Sequence, residues 1–565
     1  MKLFEDFEYE RIDINKIVLE FKELIEEFTN SGDYNEQDVI ISKIYILKDH
    51  CETMMGLVEI RNAIDTCDEY YEKELDYMDE ITPIYEDLNS MFYKALVNSK
   101  FEIEHEKKLG KQIFKIADLK RKIFIPEVLN DLSLENKLQS QYGKLKGSAS
   151  ILFKGSMRNL EEMVPFTESI DRETRQEAQK VMNKFYSDNE AEFDDIYDQL
   201  VKVRHQIAEK LGYENFVEVG YNRMLRSDYN AEMVSNFREQ IYEVIVPFAT
   251  KWRGNQAKRL NLKELNYYDE PLSFVSGNAI INHDADGILE KTKIMFEEMS
   301  EETKVFANYM LDKELIDIKI KPGKLDGGFC SYLNDYQAPF VFGNFSGTST
   351  DVDLLTHEMG HAFQSYMSKG LKPSEYYYGT AEVSEVHSIG MEFLSWPWME
   401  SFFGNETEKY KYIHLSKTML EIPYMALVDE FQHWVYENPH VSSKARKTKW
   451  REIEKKYLPH RMYDGNKYLE NGAYWHRQIH IFLDPFYYID YALASTNALE
   501  IWGRNINEDK LVWDDYLKLC KLGGSQPFLN AISLANLSNP FENGTLRKIV
   551  TPAIEWLHAI DISKM

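Results

Sequence analysis

Residues 350–361 read Thr-Asp-Val-Asp-Leu-Leu-Thr-His-Glu-Met-Gly-His, and this stretch decides both the fold class and the chemistry. Thr350 with Asp353 fits the capping pattern of a helix N-terminus, so His357 is expected in the second turn of a capped helix. Each helical residue turns about 100°, which leaves His357 and His361 about 40° apart and able to grip one zinc ion. Glu358 lies between them, placed to act as general base on a water held at the metal. A catalytic zinc takes three protein ligands and keeps a fourth position open.

The search for the third ligand leads to residues 379–396, Gly-Thr-Ala-Glu-Val-Ser-Glu-Val-His-Ser-Ile-Gly-Met-Glu-Phe-Leu-Ser-Trp, halted by Pro397. The candidates there are Glu382, Glu385, His387 and Glu392. The three glutamates fall roughly on one side of a helix, whereas His387 is about 200° from Glu385 and faces elsewhere. Composition does not choose among the glutamates. Asp353 is read as a carboxylate favoured by the helix dipole, in preference to an orienting partner for a ligand imidazole. The oxyanion formed during hydrolysis needs a donor beside the metal, commonly Tyr or His.

Composition agrees with a large soluble enzyme. The chain has 565 residues, 44% of them hydrophobic, enough for sizeable cores. Sixty-six Lys and Arg against 94 Asp and Glu leave a net charge of −28. That balance repels nucleic acid and anionic membranes, and is read as a solvated acidic surface in preference to an acid-lined pocket for cationic substrates. Cys51, Cys67, Cys330 and Cys520 lie far apart, with no C-x-x-C pair. So sparse a set points to a reducing compartment and to buried, inert thiols, with a place near the site the lesser option for Cys330. The amino-terminal residues lack a basic and then apolar leader, and no apolar run is long enough to span a membrane. The expected location is cytoplasmic.

Only 27 glycines and 16 prolines interrupt the chain, and runs such as 86–109 and 167–211 contain neither. Their Glu, Lys, Leu and Ile at helical steps predict a mainly α protein. In 16–31, Ile17, Val18, Phe21, Leu24, Ile25 and Phe28 make one stripe, stopped by Gly32. Strands are expected only at 316–320, 329–333 and 340–345, a small antiparallel sheet just before the zinc helix. No internal repeat or low-complexity linker stands out. The working division is a helical amino-terminal region, 1–200, and a catalytic region, 201–565.

These residues resemble the M3 family of zinc metallopeptidases, which includes thimet oligopeptidase and neurolysin, and most of all its oligoendopeptidase F and Pz-peptidase branch. The similarity runs over roughly residues 200–555. The family's third ligand is a Glu followed seven residues later by another Glu. Glu385-Val-His-Ser-Ile-Gly-Met-Glu392 matches that frame, so the resemblance implies Glu385 as ligand and Glu392 as its support, with His387 a departure from the usual Pro or Ala. Ala338–Gly347 looks like the family's strand before the zinc helix, a strand able to pair an extended peptide. His480-Ile-Phe-Leu-Asp-Pro-Phe-Tyr-Tyr-Ile-Asp-Tyr491 looks like its His/Tyr segment, which implies that His480, Tyr488 and Tyr491 stabilise the transition state, with Tyr487 an alternative. By its residues alone that segment reads as packed tyrosines.

The resemblance implies an elongated helical fold with a deep channel, one wall of it amino-terminal helices, admitting short peptides and excluding folded proteins. The reading is a zinc oligoendopeptidase with one zinc per chain. Its rivals are a helical zinc carboxypeptidase and a non-catalytic peptide-binding scaffold. His476 and His480, also four residues apart, make a second metal site conceivable, while His433, His440 and His460 are read as ordinary packed or surface residues.

Overall fold

Apolar residues at helical spacing become helices nearly everywhere the sequence places them. The computed structural model describes residues 2–321, 323–325 and 327–565. Ile14–Asn30 buries Ile17, Phe21, Leu24, Ile25 and Phe28, and the Asp13 carboxylate caps it by accepting the Lys16 N–H. It packs with Tyr34–Ile64 and Glu69–Val97 to open the amino-terminal region. The first uninterrupted run breaks between Val97 and Glu102, and the second between Thr167 and Arg172 and again at Asn189. Among the described residues no helix is long and apolar enough to cross a membrane.

Among the described residues, five short strands form two sheets. β1 (Ile151–Phe153) and β2 (Ser156–Arg158) make a hairpin that the sequence pattern did not suggest. Its turn, Lys154-Gly155, has both residues at positive φ, the geometry a two-residue hairpin favours. β3 (Ile316–Asp317), β4 (Gly328–Leu333) and β5 (Ala338–Gly343) form the expected sheet, in the order β3-β5-β4. It is mixed, not antiparallel: β3 runs parallel to β5, and only β4 is antiparallel to it. The alternation at 316–320 yields just two paired residues, because β5 offers a partner only to Ile316 and Asp317.

This order corrects one expectation about the strand before the motif. β5 is central and wholly buried, with β4 and β3 bonded to its two sides. The outer strands are β3 and β4, so β5 has no free edge with which to pair an extended peptide.

The motif helix, Thr350–Ser368, packs on β4 and β5 and on the acidic helix, Ala381–Leu394. The Thr350/Asp353 capping box does not form. Ser349 is the N-cap and makes no side-chain cap bond. Instead Asp351 gathers the entering loop, its carboxylate accepting the N–H groups of Ser346 and Gly347 at 2.9 and 2.7 Å. Asp353 accepts the Tyr410 hydroxyl at 2.6 Å, so it neither caps the helix nor orients an imidazole.

Motif and acidic helices meet at Gly360. A Cβ there would sit 2.7 Å from the His387 carbonyl oxygen and from the Ser388 Cα. Only a residue without a side chain lets the two backbones come this close. The acidic helix in turn packs on the tyrosine helix, Tyr488–Ile506, and the long helix, Thr407–Glu437, also lies against the latter.

Buried ion pairs join the amino-terminal helices to the rest. Glu135 accepts from Arg204 Nε at 2.6 Å and from both Arg223 Nη atoms at 2.9 and 3.0 Å. Burial alone would raise its carboxyl, but the two guanidiniums outweigh it and hold it at about 2. Glu135→Leu strands two cations and should lower the unfolding free energy by about 3–5 kcal/mol, read as a shifted urea midpoint; a midpoint like the parent's would refute the pairing. Gly360→Ala should cost about 1–3 kcal/mol by the same measurement, since rigid backbone must move apart.

Candidate metal centre

The motif helix presents His357 and His361 to the acidic helix, which answers with Glu385. His357 Nε2 lies 3.3 Å and His361 Nε2 3.6 Å from one oxygen, Glu385 Oε2. The three ligand atoms all fall within 4.8 Å of one another. Among the described residues no other group of three such side chains converges in this way. Glu385 is buried, which by itself would raise its carboxyl. The hydrogen bond from His357 and the charges of both imidazoles prevail and bring it to about 2. Two hydroxyls also hold it: Ser388 Oγ donates to Oε2 at 2.9 Å, and the Tyr487 hydroxyl donates to Oε1.

Glu392 and Glu382, the other two glutamates, have different employments. Glu392 Oε1 lies 2.7 Å from His357 Nδ1, so it braces that imidazole from behind. Its second oxygen meets His414 Nε2 at 2.7 Å. Glu382 turns away to a buried cluster, where its Oε1 accepts the Tyr229 hydroxyl and lies 3.8 Å from Arg226 Nε. His387 is fully buried and packs against the Tyr516 ring.

Glu358 faces a cavity of about 790 Å³ that is also lined by His357, His480, Tyr488 and Tyr491. Burial is the chief cause that lifts its carboxyl to about 7, opposed by His357. His480 lies within reach of both tyrosines, with ring centroids 4.8 Å from Tyr488 and 5.7 Å from Tyr491, and stacks on Tyr487. Burial raises both tyrosine hydroxyls well above their ordinary value. Tyr487, the alternative, is bonded to Glu385 instead. Of the described residues up to 200, only the 158–165 segment, which starts at the end of β2, lines this cavity.

The segment bearing His480 and Tyr487 is pinned by its main chain from distant side chains. Gln139 donates to the Leu483 carbonyl, Arg204 to that of Phe482 and Arg226 to that of Phe486, each at 2.6 Å. Arg226 also meets Asp490 at 2.6 Å, inside the tyrosine helix.

The second site that His476 and His480 suggested does not form. They stand in separate short helices, Tyr474–Arg477 and Ile479–Phe482. Both nitrogens of His476 are engaged, Nδ1 with the Tyr468 hydroxyl at 2.8 Å and Nε2 with Asp194 at 3.1 Å. His433 is likewise a packed residue, bonded to Tyr221 at 3.1 Å. Cys330 lies in β4 near the site: burial first, then the Glu358 charge, push its thiol up.

Sequence reasoning missed His414. It sits on the long helix, where His414, Thr418, Glu421 and Met425 make a stripe at helical spacing along the cavity wall. Polar residues repeating on one face of an otherwise apolar helix were the available signal.

Comparison with known proteins places the chain in a family. Residues 4–124 match the Peptidase M3 N-terminal domain, and residues 166–551 match Peptidase family M3. The oligoendopeptidase F homolog of Borreliella burgdorferi is 25% identical over 385 residues, covering 66% of this chain and 63% of its own. Oligopeptidase PepF of Bacillus subtilis is 22% identical over 441 residues, covering 73% of this chain and 63% of its own. The matches thus take in under two thirds of these relatives' length. A solved structure of Pz peptidase A with an inhibitor superposes with a TM-score of 0.97 and 47% identity, covering 99% of both chains. Oligoendopeptidase-F from Enterococcus faecium shares the fold at a TM-score of 0.63 and 15% identity, covering 97% of this chain and 99% of that one. Since the match at 166–551 alone takes in well over half of the sequence, the chain belongs to peptidase family M3.

Proposed function

We propose that this chain is a zinc-dependent oligoendopeptidase that hydrolyses internal bonds of short, unstructured peptides. In this reading His357, His361 and Glu385 hold the zinc, Glu358 is the general base, and His480, Tyr488 and Tyr491 stabilise the transition state. One observation carries it: two imidazole nitrogens converge on one carboxylate oxygen beside a buried glutamate that faces a cavity. The donor set fits the metal. Tetrahedral zinc with bonds of about 2.1 Å has ligand-to-ligand edges of roughly 3.4 Å, against 3.3 and 3.6 Å here. When bound, zinc supplies Lewis-acid polarisation of the peptide carbonyl and makes water acidic.

The side chains do the rest. Glu358 takes a proton from the attacking water and returns it to the leaving amine, a task suited to a carboxyl lifted to about 7. Tyr488 and Tyr491, kept protonated by burial, donate to the oxyanion. Gln478 donates to His480 Nδ1 at 2.8 Å, which puts the ring proton on Nε2 and makes that nitrogen a donor. Burial holds His480 neutral, at about 4. A peptide would reach them extended, and the cavity would exclude folded domains by sterics.

We divide the chain into a helical region, 1–200, whose 158–165 segment supplies part of the wall, and a catalytic region, 201–565. Its four unpaired cysteines suit a cytoplasmic location, and a charge of −28 suits neither nucleic acid nor membrane as partner.

The test is zinc content together with turnover of an internally quenched peptide blocked at its carboxyl end. Stoichiometric zinc and cleavage are expected. A carboxypeptidase would leave that peptide intact, and a binding scaffold would cut nothing. Glu358→Gln should retain zinc and lose roughly 10²–10⁴-fold in kcat; parent-like turnover would remove Glu358 from the mechanism. Tyr488→Phe and Tyr491→Phe should each lower kcat more than they raise KM, by roughly 10²–10³-fold if either is the main oxyanion donor. Unchanged kcat in both would dismiss that role.

A further inference from the structure

Behind His357 runs a chain of hydrogen bonds whose direction is forced from its far end. Trp396, in the turn just after the acidic helix, places its indole Nε1 3.0 Å from His414 Nδ1. Trp396 is 5% exposed and His414 4%, so water does not compete. An indole N–H can only donate, so His414 Nδ1 must accept and carries no proton. The single ring proton of His414 is then on Nε2, 2.7 Å from Glu392 Oε2, and is donated there. Glu392 receives it as a carboxylate, and its other oxygen accepts the proton on His357 Nδ1, 2.7 Å away. With Nδ1 committed to Glu392, His357 turns Nε2 toward Glu385 and His361, and that nitrogen is the one left to exchange its proton for a metal.

Packing keeps the intermediate ring from turning. His414 stacks on Tyr410 with centroids 5.6 Å apart and planes 7° apart, and Phe393 meets it at 4.8 Å. Trp396 is itself held by Trp502 and by Trp556 of the carboxy-terminal helix, Thr545–Ala559. Had Trp396 been a phenylalanine, nothing would reserve His414 Nδ1 as an acceptor, and the proton donated to Glu392 would no longer be fixed from behind.

We propose that Trp396 and His414 are positioning residues which, through Glu392, set the tautomer and ring plane of His357 so that its Nε2 is committed to metal. The proposal rests on the reading of His357 as a ligand. It assigns a function to two buried side chains that touch neither the metal cluster nor Glu385.

The test has two readouts, neither of them catalytic. In metal-free protein labelled with ¹⁵N-histidine, the resonance lost in His414→Gln identifies His414. It should show a neutral ring protonated at Nε2, and Trp396→Phe should shift it to mixed tautomers. A His414 protonated at Nδ1 in the parent would overturn the proposal whatever the variants do. Zinc affinity, by competition with a chelator, should fall roughly tenfold in Trp396→Phe and in His414→Met, the lower end of the effect usual for partners of metal ligands. His414→Gln, whose amide can still donate to Glu392, should recover most of that loss, which a merely space-filling role does not explain. Zinc affinities within about twofold of the parent in both Trp396→Phe and His414→Met would also overturn it. A parent that takes up no zinc would sink the metal reading alone, since the tautomer measurement decides the hydrogen-bond chain on its own.

Discussion

Everything at the centre depends on how closely two helices cross. The motif helix carries both histidines, but a carboxylate reaches the space between them only if the acidic helix lies almost on its backbone. Gly360 permits that approach, since any Cβ would strike the His387 carbonyl oxygen and the Ser388 Cα at 2.7 Å. The crossing also brings Glu392 beneath His357 and turns Glu382 away. Two carboxylates from one helix thereby reach the site, one facing both imidazoles and one bracing His357 from behind.

A second constraint comes from buried charge. Lys48 meets Glu375 at 2.6 Å, joining the amino-terminal helices to the segment between motif and acidic helices. Arg204, Arg226 and Gln139 bond the main chain of the segment that holds His480 and Tyr487. A loop of this kind otherwise has few means of holding a fixed shape, because its carbonyls lack helix or strand partners. Charged and amide donors, desolvated and aimed at carbonyls, give it rigidity. The amino-terminal half therefore shapes the site mostly from behind, and contributes only the 158–165 segment to the cavity wall.

Legibility in the sequence followed the range of the interaction. The stripe at Ile17, Phe21, Leu24, Ile25 and Phe28 is a local pattern, and its helix is where the spacing puts it. The strands at 328–333 and 338–343 were readable within two residues. Their order was not: β3 pairs β5 in parallel across a gap of some two dozen residues, and nothing in its alternation states its partner or direction. The hairpin at 151–158 was missed because strands of three residues give period two almost no length in which to show. The capping box failed for a related reason, since Asp351 found two loop N–H groups that the pattern of spacing could not foresee.

At the site, the histidine pair and the intervening glutamate are fixed by the 3.6-residue repeat, so their shared face was certain once the segment was helical. Glu382 and Glu385 differ by only about 60° around their helix, too little for periodicity to separate them. Neighbours separated them, the Arg226 cluster claiming one and the imidazoles the other. Trp396 was beyond reach, and for His414 the polar stripe could mark a face but not a role, because their partners lie on other elements and are met only after packing. The sequence by itself determined what one helix can present, through the fixed rotation between residues. Only the tertiary structure decided what each presented group meets, because that depends on backbones brought together from far along the chain.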